Sequence, residues 1–251
     1  MPKRLPKKLR AEPLIDASCE LRTSSSVDLH TILPGLFFTQ LTGITKVEQL
    51  PGLSFPDAMR ADPALAPVNS QLVRLHWGDY YITLGTRNVL IGPRLPYRGW
   101  SEYKERVLEV FKLVLEHSFV QSIERYSIKY TNLIPISSVV QQSEKLDWSI
   151  KIGPIQLSGQ PTQLRAEIDA DGFVTIIEMA TGAVVEMVGT KEQKEGCVVA
   201  IDTLRTNPEV SVAAFRTELA DRLEAIRHYN KVVFFDCLKD STIEEMGPTY
   251  E

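Results

Sequence analysis

Cysteine is scarce in this 251-residue chain, which holds three: Cys19, Cys197 and Cys237. An odd number, scattered this widely, excludes a disulfide framework and any Cys-x-x-Cys ligand pair, so reduced, mostly buried thiols are expected. Long apolar runs are missing too, and none approaches the roughly 18 to 20 residues of a membrane-spanning helix. The opening MPKRLPKKLR is basic but is followed by no apolar core, so a secretory signal is not expected and the expected compartment is the cytoplasm. Neither Gly-x-Gly-x-x-Gly nor Gly-Lys-Ser occurs, so a standard phosphate loop is excluded. No Gly-x-Ser-x-Gly elbow is present, Ser158 lying in Leu-Ser-Gly. The four histidines, His30, His76, His117 and His228, form no His-x-x-x-His pair. Positive charge is not in excess, with 28 Lys and Arg against 32 Asp and Glu and a net charge of -4, which argues against broad binding to polyanions. No catalytic constellation, metal ligand set or cofactor site is therefore predicted.

The composition that remains, 43% hydrophobic and 24% charged, is that of a soluble globular protein long enough for a real core. Residues 13–22, PLIDASCELR, alternate as a strand with Ile15, Ala17, Cys19 and Leu21 on one face. Ser26 can cap a short helix that Pro34-Gly35 should interrupt before Leu36-Phe37-Phe38. The proline-rich stretch 50–70 is expected as a loop. QLVRLHWG, YYITLGT and NVLIGP then form strands joined by turns at Gly78-Asp79 and Thr86-Arg87-Asn88. Ser101 is the expected cap of a long helix whose Tyr103, Val107, Val110, Phe111 and Val114 make one apolar stripe. The strand SIERYSIKYTNLIPI (122–136) follows, in which Ile123, Arg125, Ser127, Lys129 and Thr131 alternate with Glu124, Tyr126, Ile128, Tyr130 and Asn132. The second set has the larger apolar surface, so Tyr126, Ile128 and Tyr130 should face the core, and the charges are read as those of a solvated sheet face beside it.

Strand patterns return in LDWSIKIGPIQL, QLRAEIDA, FVTIIEMA, AVVEMV and GCVVAIDTLR, with Asp171-Gly172 as a hairpin turn. Ser211 caps a second long helix, expected to reach about Leu238, in which Phe215, Leu219, Leu223, Ile226 and Val233 share a face. A sheet with one apolar face needs a cover, and each long helix has a matching stripe. The predicted fold class is α+β: two similar halves, each a mostly antiparallel curved sheet covered by one long amphipathic helix. The expected divisions are a basic flexible arm at 1–12, a first half at 13–140 and a second at 141–251, packed as one unit.

EPLIDASCELR, LPGLFF, RLPYRGWSEYKERV and IERYSIKYTNLIPI resemble a sporadically distributed, uncharacterised prokaryotic protein family. Its members pair an N-terminal Pro-x-x-acid…Glu-Leu-Arg strand with a later Arg-Tyr-x-Asn strand. The resemblance covers roughly the first 140 residues; Asp16 stands where Glu is usual, and Lys129 where Arg is. The family's patchy occurrence implies an accessory gene, as in a defence or toxin–antitoxin-like locus, and the resemblance implies no particular activity or cofactor.

Three stretches remain as candidate sites. The loop RLPYRGW brings Arg94, Tyr97, Arg98 and Trp100 together before a helix start, a set suited to stacking a base or gripping a peptide, or simply to pinning that helix. Lys3, Arg4, Lys7, Lys8 and Arg10 make the arm a candidate contact for nucleic acid or an acidic partner, a solubilising tail being the plainer reading. Glu167 and Asp169 share a strand face, as an acid–base or metal pair would, but an exposed face running into a hairpin is the plainer reading there. The expected function is a non-catalytic accessory protein that binds a protein partner, through the sheet or an exposed strand edge, with a dimer open. The alternatives are a small-ligand or nucleic-acid sensor using the 94–100 loop and the arm, and an enzyme whose site assembles from distant residues.

Overall fold

A computed structural model of the chain describes residues 4–54, 71–186 and 192–250. The protein is mixed α and β and is built on a large antiparallel sheet. Two compact units divide it, each drawn from separated stretches of chain: Met1–Ala17, Lys129–Thr203 and Ala225–Glu251 in one, Ser18–Ile128 and Leu204–Glu224 in the other.

The second of these units holds strands β2 (Leu14–Ser25, from Ser18 on), β3 (Ile44–Gln49), β4 (Val73–Trp77), β5 (Tyr80–Leu84), β6 (Asn88–Pro93) and the first part of β7 (Val120–Pro135). They neighbour one another in the order β7-β2-β6-β5-β4-β3. Alternation sorts the faces: Cys19 and Leu21, Val89 and Ile91, Ile82 and Leu84, and Leu75 are all buried. Against β6 packs helix α2 (Trp100–Leu115), whose Tyr103, Val107, Val110, Phe111 and Val114 are each fully buried. Burying a side chain of this size is worth about 1.5 to 3 kcal/mol, so the stripe alone holds this helix down. Gly99, not Ser101, is its N-cap, because Trp100 is already part of the helix.

Helix α1 (Leu29–Gln40) packs against β3 and β5 and runs through Pro34-Gly35, where the sequence predicts a break. Leu29, Leu33 and Phe37 recur every fourth residue and are fully buried. Three such anchors outweigh the single backbone bond that proline cannot give.

The first unit contains β1 (Lys8–Leu9), helices α3 (Val139–Lys145) and α5 (Asp240–Glu245), strands β8 (Ile150–Ile152), β9 (Ile155–Leu157), β10 (Gln163–Ala170) and β11 (Phe173–Glu186), and β13 (Pro248–Thr249). It also takes β12 (Gln193–Thr206) as far as Thr203, and helix α4 (Val212–Asp236) from Ala225 on. Here β10, β11, β12 and β7 neighbour one another in that order. Ile177, Met179, Cys197, Val199, Ile201, Phe234, Phe235 and Leu238 belong to one core cluster.

The single strand expected over LDWSIKIGPIQL is instead the β8–β9 hairpin, turning at Gly153 with φ 56°. FVTIIEMA and AVVEMV are one strand as far as Glu186, and the last residues of AVVEMV lie outside the described residues. Residues 55–70 of the expected loop also lie outside them. Ser211 caps α4 as expected, its Oγ accepting from the N–H of Ala214 at 3.2 Å, and the helix ends at Asp236.

Candidate functional site

The 94–100 loop hangs from a hydrogen bond given by the Arg94 N–H to the Asp79 carbonyl, 2.7 Å. Its side chains already have partners in their own unit. The Arg98 guanidinium pairs with the Asp79 carboxylate, and that of Arg94 meets Nδ1 of His76. Trp100 donates its indole N–H to Glu224 Oε2 at 2.9 Å and sets its ring edge-on to Tyr103, centroids 5.9 Å apart. Tyr97 meets Tyr103 edge-on at 6.0 Å, Tyr80 stacks on it at 6.1 Å, and the Tyr103 hydroxyl donates to the Ile91 carbonyl at 2.7 Å. The loop is therefore the rim of an aromatic cluster whose centre, Tyr103, is fully buried. Burial, followed by the hydrogen bond to Glu102, pushes the Tyr80 hydroxyl up to about 12.

The His76–Glu48 pair beside the loop was not signalled by sequence spacing. Nε2 of His76 lies 3.0 Å from Glu48 Oε2 because β3 and β4 pair antiparallel, setting residue 46 opposite 76 and residue 48 opposite 74. That hydrogen bond, helped by Lys46, holds the Glu48 carboxyl below its ordinary value.

The arm residues belong to the other unit. Lys3 lies outside the described residues. Arg4 sits over the Tyr250 ring at 4.6 Å, the Lys7 N–H donates to Thr249 at 2.7 Å, and the Arg10 N–H to Gly247 at 3.1 Å. Lys8 lies in β1, which pairs with β13, and Leu9 is buried. Residues 7 to 11 are thus tied to the C-terminal segment, where composition alone suggests a flexible arm.

The charges of the 122–136 strand are paired rather than merely wetted. Glu124 receives Arg22 at 3.2 Å and also Arg87, and Arg125 reaches Glu20, which accepts the Asn88 amide at 2.9 Å. In the other unit Lys129 meets Glu178 at 3.2 Å, and Asn132, buried, donates to the Val199 carbonyl. A network of this kind, with each charge held by a partner, orders a sheet face.

Glu167 and Asp169 are exposed on β10. Among the described residues, no group of three His, Cys, Asp or Glu side chains is placed to hold a metal ion. What β10 does offer is backbone. It pairs with β11 over its whole length, Gln163 opposite Ala180 through Ala170 opposite Phe173, and stands at the end of the strand order. Among the described residues its other flank has no neighbouring strand. In the other unit the outermost strand of its order is β3, which carries Lys46 and a register shift between Ile44 and Lys46, two devices that discourage strand addition. Strand β10 has neither lysine, proline nor shift.

Among the described residues no helix is long and apolar enough to cross a membrane. Compared with models of known protein families, the chain matches none, and comparison with curated proteins likewise finds no match.

Proposed function

We propose that the chain is a non-catalytic accessory protein of the cytoplasm that binds a protein partner by strand addition at the β10 edge. The observation that carries this reading is that edge: eight residues long, paired regularly with β11, and without the lysine, proline or register shift that often guard one. A protein strand is the ligand whose chemistry fits, since alternate N–H and C=O groups are what it pairs with.

Membership of the sporadically distributed family, and a place in a defence or toxin–antitoxin-like locus, belong to the same proposal and rest on the motifs of residues 13–22 and 122–136. So does the reading of two similar halves, each a curved sheet under one long helix; the buried stripe of α2 supports it. A ligand or nucleic-acid sensor built on Arg94, Tyr97, Arg98 and Trp100 draws less support, because Asp79 and Glu224 already engage Arg98 and Trp100.

The test is co-purification of the full chain from cells at native expression, wild type beside Glu167→Pro. The substitution removes a backbone donor from the open flank of β10. Loss of an associated protein from the variant alone is the expected result. The same associations with both forms, whether to another protein or to a second copy, or a chain that always emerges as a monomer, overturns the proposal.

A further inference from the structure

The geometry of β10 points to the occupant of its edge: we propose that it is a second copy of this chain, bound antiparallel about a two-fold axis through Ala166. This rests on the strand-addition reading above and names the partner.

The outward-facing backbone groups follow from the turn. Asp171 and Gly172 both have positive φ, 55° and 75°, and Ala170 lies opposite Phe173. A two-residue turn of this type is closed by a pair that exchanges both hydrogen bonds. Bonded pairs then recur at every second residue, so Ala170, Ile168, Ala166 and Leu164 turn their N–H and C=O toward β11. Gln163, Arg165, Glu167 and Asp169 turn theirs to the open side.

An incoming antiparallel copy must set these odd-numbered residues against odd-numbered ones, which confines the axis to a residue. Centred on Arg165 or Glu167, each meets its own like charge. Centred on Ile168, Glu167 faces Asp169. Centred on Leu164, the overlap shortens and Ile168 stays uncovered. Centred on Ala166, Arg165 of each copy faces Glu167 of the other, and Gln163 faces Asp169. On the opposite face Leu164 then meets Ile168, twice. Leu164 already packs on the core cluster and Ile168 is 45% exposed, so this register extends that core over an apolar side chain that otherwise meets water. Backbone pattern, charge and apolar cover therefore select the same axis. In the single chain Arg165 approaches Glu167 and Glu178 only loosely, 3.7 Å each, and its side chain is 56% exposed, so it is available to a partner. A self-complementary patch is what a two-fold interface requires.

The test is sedimentation of the full chain across concentration. The wild type is expected as a species of twice the 28.2 kDa chain mass. Arg165→Glu and Glu167→Arg, each alone, set like charges opposite and should raise the dimer dissociation constant about tenfold or more. The double reversal restores opposite charges and should restore the dimer. An equimolar mixture of the two single variants should also dimerise, one chain supplying two acids and the other two bases. Both positions are more than half exposed, so thermal melting at a concentration low enough for every form to be monomeric should be unchanged. A wild type at 28.2 kDa up to its solubility limit, or a dimer indifferent to both single reversals, overturns the second-copy assignment. If that monomeric wild type still takes up a different protein, and Glu167→Pro abolishes the uptake, strand addition stands without self-association. If Glu167→Pro changes no association of any kind, both fall.

Discussion

Replacing Tyr103 separates an anchoring role for the 94–100 loop from a ligand-gripping one. Its side chain is fully buried, its hydroxyl donates to Ile91 at 2.7 Å, and its ring is ringed by Tyr80, Tyr97 and Trp100 at 5.9 to 6.1 Å. Tyr103→Phe keeps the ring and leaves one buried carbonyl short of a donor, a loss of about 1 to 2 kcal/mol. Tyr103→Ala also empties the centre of the cluster, which costs about 3 to 5 kcal/mol for the ring, with about 0.5 to 1.5 kcal/mol for each aromatic pairing lost. Arg98→Ala serves as the comparison: it breaks only an exposed ion pair with Asp79, worth about 0 to 1 kcal/mol. Equilibrium urea unfolding followed by tryptophan fluorescence reads all three, since Trp77 lies against Tyr80 and Trp100 against Tyr103, both within the perturbed region. The predicted order of destabilisation is Arg98→Ala, then Tyr103→Phe, then Tyr103→Ala. A Tyr103→Ala protein within about 1 kcal/mol of wild type would refute the anchoring argument, because a fully buried aromatic cannot be removed that cheaply.

Further outcomes follow from single contacts. All three cysteines are buried and burial pushes the Cys197 thiol up to about 12, so a thiol reagent should titrate none of them rapidly in the native chain and all three after denaturation. Gly196→Ala would bring a Cβ to 2.4 Å from the Ile134 carbonyl oxygen and 2.8 Å from Leu133, so it should destabilise by about 1 to 3 kcal/mol in a thermal melt; an unchanged melt contradicts that approach. Tyr80 ionises near 12 in the fold against an ordinary value near 10, so the folded state holds its proton longer; its stabilisation is complete below 10 and is lost as pH rises from 10 to 12. Tyr80→Phe should flatten that alkaline limb, and an unaltered limb would assign it to another group. Deleting residues 1 to 10 removes the β1–β13 pairing together with the buried Leu9 side chain, a loss of about 2 to 3 kcal/mol in chemical denaturation, whereas a purely solubilising tail would cost nothing.

Helix α2 was legible in the sequence because its signal is local: five apolar residues at helical spacing, all buried in the fold. Faces of strands were legible for the same reason, as Ala17, Cys19 and Leu21 show. Local rules failed where a distant partner decides. Pro34-Gly35 breaks an isolated helix, yet Leu29, Leu33 and Phe37 find a core and keep α1 whole. Strand β3 carries almost no buried residue to announce it, and exists because β4 pairs with it. The arm shows only prolines and positive charge, while its hydrogen bonds go to residues 246–249 at the far end of the chain.

The same division explains what could be known of the candidate site. Alternation makes QLRAEIDA a strand, and Asp171-Gly172 makes it one arm of a hairpin. Its acids then look like a solvated face or a catalytic pair, and spacing cannot choose. The choice turns on which strands stand outermost, a property of strand order that no window of sequence encodes. Once β10 is an edge, the alternation of Arg165, Glu167 and Asp169 with Leu164, Ala166 and Ile168 has a second meaning. Residues that share a face with the solvent also flank the open backbone groups, so in the proposed strand addition charge there would set which strand is accepted and in which register. If the proposed pairing holds, a position that is neutral for folding is decisive for association, and substitutions at Arg165 and Glu167 should change assembly while leaving the fold untouched.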